Sequence, residues 1–247
     1  MDLKKPENKS TLLTKITELA TNTSRFLKSL LNYDQHKAAL LYYWLRNYLR
    51  YIKQEKTFDP KYFPEFQPGH IVKVDFGFGI GNEFGGLHYA LVLTRSNYKS
   101  GTVTVIPLRS LKPNKENPDS LYKTDIYLGT ELFAVLLENA NRLLDSCGRH
   151  IKWLNQVDLN TLTDSEVASF SKQLNEAKKL LAKHDIIMSE VSRLNSGTIA
   201  IASQIRTVSK IRIQNPTGPK DTLFNMRVDK NITNKIRVVI GEIYDIK

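Results

Sequence analysis

The sequence predicts an α+β fold, with strands clustered near the centre of the chain and helices before and after them. Three patterns carry that prediction. Residues 68–111 hold three short runs rich in Val, Ile, Leu and Tyr, separated by Gly- and Asn-bearing connections. Residues 11–56 place apolar side chains at helical spacing. A third run, from Val167 to Val191, alternates apolar spacings of three and four over more than three heptads.

Taken in order, the first helical stretch carries Leu12, Ile16, Leu19 and Ala20, and a second carries Leu41, Leu45, Tyr48, Leu49 and Ile52. Asn32 or Asp34 is the expected break and cap between them. Tyr33, Tyr42, Tyr43, Trp44, Tyr48 and Tyr51 crowd beside Arg46, Arg50 and Lys53. Such a mixture either stacks on bases or packs a ring stripe onto a core. Pro60, Pro64 and Pro68 mark a stiff connection.

The expected strands are His70 to Phe76, Tyr89 to Thr94 and Thr102 to Leu108. Five glycines, Gly77, Gly79, Gly81, Gly85 and Gly86, fill the first connection and deliver His88 to the next strand. The spacing is not a dinucleotide fingerprint, because a strand follows where that motif needs a helix, and no Gly-Lys-Ser/Thr follows as in a P-loop. Glu131 to about Ser146 reads as helix. Thr163-Asp164-Ser165-Glu166 offers a capping box to a long helix reaching Leu194, which would pair in a hairpin or dimerise. Gly197 to Ile213 reads as a buried strand running into a basic, hydroxyl-bearing stretch. Asn215 to Pro219 reads as a turn, and Ile236 to Ile243 as a closing strand or short helix.

The chain has 247 residues, 41% hydrophobic and 25% charged, as in soluble globular proteins. Its polar start suggests no signal peptide, and no uncharged apolar stretch is long enough for a membrane span. Cys147 is the single cysteine, which excludes an intramolecular disulfide and a cysteine-based zinc cluster; a reducing cytoplasm is the natural expectation. The net charge is +11. Residues 1–66 carry 12 Lys/Arg against 7 acids and residues 196–247 carry 9 against 4, whereas 112–195 are balanced at 11 against 12. That distribution suits a polyanionic partner, or a protein kept soluble by lysines.

Three blocks, GNEFGGLHYALVL, TVTVIPLRS and SQIRTVSKIRI, resemble in order the MazF/PemK toxin family of type II toxin–antitoxin endoribonucleases. The family pattern is a G-x-E-x-G-G loop ending in Arg-Pro or His, a strand ending Pro-Leu-Thr-Ser, and Gln-Ile-Arg-Thr-x-x-Lys-x-Arg. The resembling parts are Phe66 to about Thr130 and Ser196 to about Lys247. The resemblance implies a small SH3-like, MazF-type β-barrel over 65–247 with a helical insertion at about 131–195, preceded by a helical extension over 1–64. It implies an endoribonuclease of single-stranded RNA, neutralised by an antitoxin protein and acting as a homodimer in the cytoplasm.

Cleavage by the RNA 2′-hydroxyl needs a proton acceptor, a proton for the leaving 5′ oxygen and cations on the phosphorane, and no metal or other cofactor. The expected catalytic residues are His88, Arg109 and Ser110, and the expected RNA-binding residues are Gly85, Gly86, Arg206, Thr207, Lys210 and Arg212. His88 stands where the family usually has Arg, and an unperturbed imidazole titrates near ~6.5. Arg109 stands where it usually has Thr, so cation and small polar group are exchanged between the strands. Ser203 replaces the acid that many relatives place before Gln204, which moves the proton work toward His88. The competing readings are a barrel that binds nucleic acid or protein without cleaving, as gyrase-poison toxins of this fold do, and a degenerate toxin kept as a scaffold.

Overall fold

The computed structural model describes residues 2–112, 115–158, 163–194 and 196–245. It divides into two compact units, Met1–Phe58 with Gly77–Asn82, and Asp59–Phe76 with Glu83–Lys247.

The first unit is built from α1 (Lys9–Leu30) and α2 (Gln35–Glu55). The break falls where a capping residue is available: the Asp34 carboxylate accepts from the Lys37 N–H at 2.9 Å. Leu30 and Ala38 are buried on either side of that turn.

In the second unit, β1 (Ile71–Asp75), β2 (Leu87–Val92) and β3 (Thr102–Ser110) form an antiparallel meander. A short β4 (Asp125–Tyr127) leads to α3 (Glu131–Leu154) and α4 (Asp164–Leu194). The chain then returns through β5 (Thr198–Ile201), β6 (Arg206–Ser209) and β7 (Ile213–Asn215) to a final α5 (Lys230–Tyr244). The sheet order is β4-β5-β3-β2-β1-β7, with β6 also pairing β3. Residues 102–105 of β3 pair β6, and residues 108–110 pair β5. Among the described residues β4 and β7 end the path without pairing to each other, so the sheet is not the closed barrel that the resemblance implied.

Strand alternation sends side chains into two cores. Leu91, Ile106, Leu108 and Ala200 face a core covered by Leu132, Leu136 and Ala140 of α3, Ile187 and Val191 of α4, and Ile236 of α5. Val72, Val74, Ala90, Val92, Val103, Val105, Val208 and Ile213 face the other core, closed by Phe66 and Phe76. Either core gathers enough buried aliphatic side chains to hold the sheet, at about 1.5–3 kcal/mol for each large one.

The expected helix start at Thr163 is present: its N–H and hydroxyl both donate to the Glu166 carboxylate, at 2.8 and 2.7 Å. α3 and α4 run antiparallel, with the Cys147 thiol against the Ala177 carbonyl and His150 bonded to Gln173. The heptad seam is buried only in part. Ala177 and Val191 are inside, but Val167 and Leu181 are exposed, and Ile187, off the seam, enters the core instead. The stretch from Gly197 to Ile213, read as a buried strand running into a basic stretch, is three strands split by single 3₁₀ turns at Ala202–Gln204 and Lys210–Arg212. Ile236 to Ile243 lies within a helix rather than a strand, started by the Asp229 carboxylate accepting from the Asn231 N–H.

Candidate functional site

The β1–β2 hairpin fixes the position of His88. Asp75 pairs with Leu87 and Val74 with His88, and the Phe76 N–H closes the loop on the Gly86 carbonyl at 2.8 Å. Gly86 takes φ +87°, a conformation that side-chain-bearing residues rarely adopt, and a Cβ there would come within 3.5 Å of the His88 ring. His88 leaves the strand on the side of Val74 and Ala90, at the lip of the core without helices. Phe84 plugs that lip, edge-on to Phe76 and with its ring centroid 4.5 Å from that of His88.

The Gln204-Ile205-Arg206-Thr207 block reaches the same lip. The Gln204 side-chain oxygen accepts from the Phe84 N–H at 3.2 Å and from the Arg206 guanidinium at 3.4 Å. Arg206 pairs across the sheet with Val105, which faces the same core as Val74, so Arg206 and His88 emerge on one side of the sheet. A half-buried imidazole, a guanidinium and a glycine-bearing loop thus share one edge. This arrangement can hold a phosphodiester and move a proton beside it.

The other expected residues are placed differently. Arg109 faces away from the helix-covered core, since Leu108 faces into it, and the β2–β3 register extended by two residues would set it opposite His88. Its guanidinium is taken up by carboxylates: Nη1 donates to both Glu116 oxygens at 2.9 and 2.7 Å, and Nη2 to Asp125 at 2.9 Å. Burial lowers the Arg109 pKa, but bonds and charge from Glu116 and Asp125 outweigh it and raise the net value. Burial likewise pushes the Glu116 carboxyl up, and the Lys112 N–H and the Arg109 guanidinium bring it below its ordinary range. Ser110 pairs with Thr198 and, by alternation along β3, leaves the strand on the opposite face from Arg109. It is therefore not brought to His88. Thr207 is exposed and on the opposite face from Arg206, its hydroxyl 2.9 Å from that of Thr104.

Lys210 corrects the expectation of a phosphate contact. It is fully buried, with Nζ donating to the Asn97 carbonyl at 2.8 Å and lying over the Phe66 ring. Burial lowers its pKa, and the charge of Glu65 opposes that shift. A lysine with no exposed surface cannot meet RNA in this conformation. Arg212 donates from Nε to the Asp75 carbonyl at 2.8 Å, tying the stretch before β7 to the end of β1, where the glycine loop begins. Gln204 and Phe84 were absent from the expected site residues. Gln204 had a signal, its place within the motif; Phe84 had none beyond lying in the glycine loop.

Among the described residues no three His, Cys, Asp or Glu side chains gather in a way that could hold a metal ion. No helix among them is long and apolar enough to cross a membrane. No curated protein matches the chain. A family match covers residues 67–165, which includes the glycine loop, His88, Arg109 and α3 but not the Gln204–Thr207 block. Residues 67–165, about two fifths of the chain, match the family described as the PemK-like, MazF-like toxin of type II toxin–antitoxin system.

Proposed function

We propose that this protein is an endoribonuclease that cuts single-stranded RNA without a metal ion. The family supports RNA cleavage, and a toxin of a type II system implies an antitoxin partner. One observation carries the residue assignment: Gln204 ties the glycine loop at Phe84 to Arg206, on the side of the sheet from which His88 emerges. In this reading the RNA 2′-hydroxyl attacks the adjacent phosphorus and His88 accepts its proton. Arg206 and the loop at Gly85 and Gly86 stabilise the charge on the phosphorane. The P–O5′ bond breaks, and the leaving oxygen takes a proton from solvent. Arg109 joins only where a phosphate replaces Glu116 on its guanidinium fork, since both present paired oxygens to it.

The same reading divides the chain into a helical extension over 1–64 and a catalytic part over 65–247 with an insertion at about 131–195, acting as a homodimer. A second reading, a sheet domain that binds nucleic acid or protein without cutting, is favoured by the two carboxylates that neutralise Arg109. Incubation of the purified chain with long unstructured RNA in EDTA separates the two. Cleavage leaving a 2′,3′-cyclic phosphate and a 5′-hydroxyl is the expected result. Intact RNA at low salt assigns the binding role, and strict dependence on Mg²⁺ overturns the mechanism.

A further inference from the structure

The helical unit carries a feature that RNA cleavage does not use. Between α1 and α2 runs an open groove of about 880 Å³. Ile16, Leu19 and Leu27 line it from α1, and Tyr42, Leu45 and Leu49 from α2. These residues recur at spacings of three, four, seven and eight, so each helix turns one continuous apolar stripe toward the groove. The stripes are not covered: Leu19 is 67% exposed and Leu49 60%. Continuous apolar stripes facing each other across a groove, rather than apolar residues scattered singly, are the pattern of a docking feature.

Charge limits what can fill it. The helical segment 1–58 holds eleven Lys/Arg and five Asp/Glu, a net +6. Of the two acids between residues 16 and 49, Glu18 is paired with Lys15 and Asp34 caps α2, and neither lines the groove. Lys28 does line it, and the Arg46 guanidinium stacks over the Tyr42 and Tyr43 rings, 5.8 and 5.2 Å from their centroids. A second copy of the unit would bring its own +6 against this edge. Single-stranded RNA would match the charge and find Tyr42, Tyr43 and Tyr48 to stack on, but the rest of the lining is mainly Leu, Ile and Ala side chains that offer bases no partner. An amphipathic helix satisfies both requirements, with apolar anchors at i, i+4, i+7 and i+11 and acidic residues along its borders.

We infer that the α1–α2 groove is a docking site for an acidic amphipathic helix of a partner protein. The inference stands apart from RNA cleavage and holds whether or not the chain cuts RNA. The probe is a fluorescein-labelled 22-residue peptide with Leu at those four spacings and Glu at its polar positions, measured by anisotropy against the full-length chain. A control peptide keeps the leucines and carries Lys in place of Glu. The Glu peptide is expected to bind about tenfold tighter or more at low salt, with the preference shrinking as salt screens the border charges. Leu19→Ser with Leu49→Ser should weaken it by about tenfold or more. Both side chains are more than half exposed, so the helices should keep their circular dichroism. Arg46→Glu leaves the leucines in place and should cut the preference for the acidic peptide.

Equal or tighter binding of the Lys peptide overturns the inference, as does binding of neither peptide or indifference to the leucine substitutions. If the leucine substitutions instead abolish RNA binding, or dissolve a concentration-dependent dimer, the groove belongs to RNA or to a second copy.

Discussion

Arg109→Met removes the guanidinium and keeps most of the aliphatic stem, which isolates the worth of the Arg109–Glu116–Asp125 cluster. In the native protein the side chains of Arg109 and Glu116 are 21% and 23% exposed and that of Asp125 only 7%. Breaking a buried pair by deleting one partner costs about 3–5 kcal/mol, because the remaining charge is stranded. Water reaches two of these three groups, so a loss of about 2–3 kcal/mol is expected here. For a folding unit of this size that corresponds to a fall in Tm of roughly 4–12 °C. Calorimetry of the two proteins at neutral pH measures it directly.

The deficit should also depend on pH in a defined sense. Glu116 is held below its ordinary range, so its stabilising contribution is complete above the unfolded carboxyl value of about 4.3 and is lost as pH falls through the folded value. The gap between native and variant should therefore narrow in acid. Adding Asp125→Leu to Arg109→Met should recover part of the loss, since no carboxylate is then left without its cation at that nearly buried position. An unchanged Tm, together with a salt dependence of RNA binding that drops by about one phosphate contact, would refute this account and make Arg109 an RNA ligand.

Three further outcomes follow from the geometry. His88→Ala should slow cleavage by about 10²–10⁴-fold and flatten the pH–rate profile near neutrality while RNA affinity is largely kept; a variant that cuts normally removes His88 from the mechanism. Lys210→Met fills the same space without a charge, so thermal stability should stay within about 1 kcal/mol or rise, and the salt slope of RNA binding should not move. In α4, Ala177→Asp places a carboxylate in a buried position facing Cys147 and should cost about 3 kcal/mol or more by thermal unfolding. Leu181→Asp, 38% exposed, should cost no more than about 1 kcal/mol in the same assay. Equal losses would mean that the α3–α4 packing described above is wrong.

Much of this fold was legible because its signals are local. Alternating Val and Ile residues marked β1 to β3 within one or two residues, and Asp34 and Thr163 announced their helices through caps that act over three residues. The unreadable parts depend on partners far along the chain. Residues 197–213 read as a strand followed by a basic stretch because only the first piece is continuously apolar; the two turns exist because β5, β6 and β7 pair with different parts of the sheet. Lys210 sits in a basic stretch and reads as surface until the fold brings the Asn97 carbonyl, 113 residues earlier, onto its Nζ. Arg109 read as a catalytic, phosphate-facing residue because the carboxylates of Glu116 and Asp125 that meet it belong to a segment that is neutral on balance. The Gln204–Arg206 link was half visible: the motif named its members, but only the structure shows that Gln204 fastens the glycine loop as well.

The helical segment between β4 and β5 leaves and re-enters the sheet at touching points. The Thr198 N–H donates to the Gly129 carbonyl at 2.8 Å, and the Leu128 N–H to the Thr198 carbonyl at 2.9 Å. As a matter of wiring, Gly129 and Thr198 therefore close like the two ends of a hairpin, and joining them with a short turn would leave the described strands connected in the same order. Thermodynamically the segment between them is not a loop at all. Leu132, Leu136 and Ala140 from one arm and Ile187 and Val191 from the other roof the sheet over Leu91, Ile106 and Leu108. Excision would keep the topology and strip a core of its lid, so what looks like a removable cassette in the order of the elements is a structural wall of the unit it belongs to.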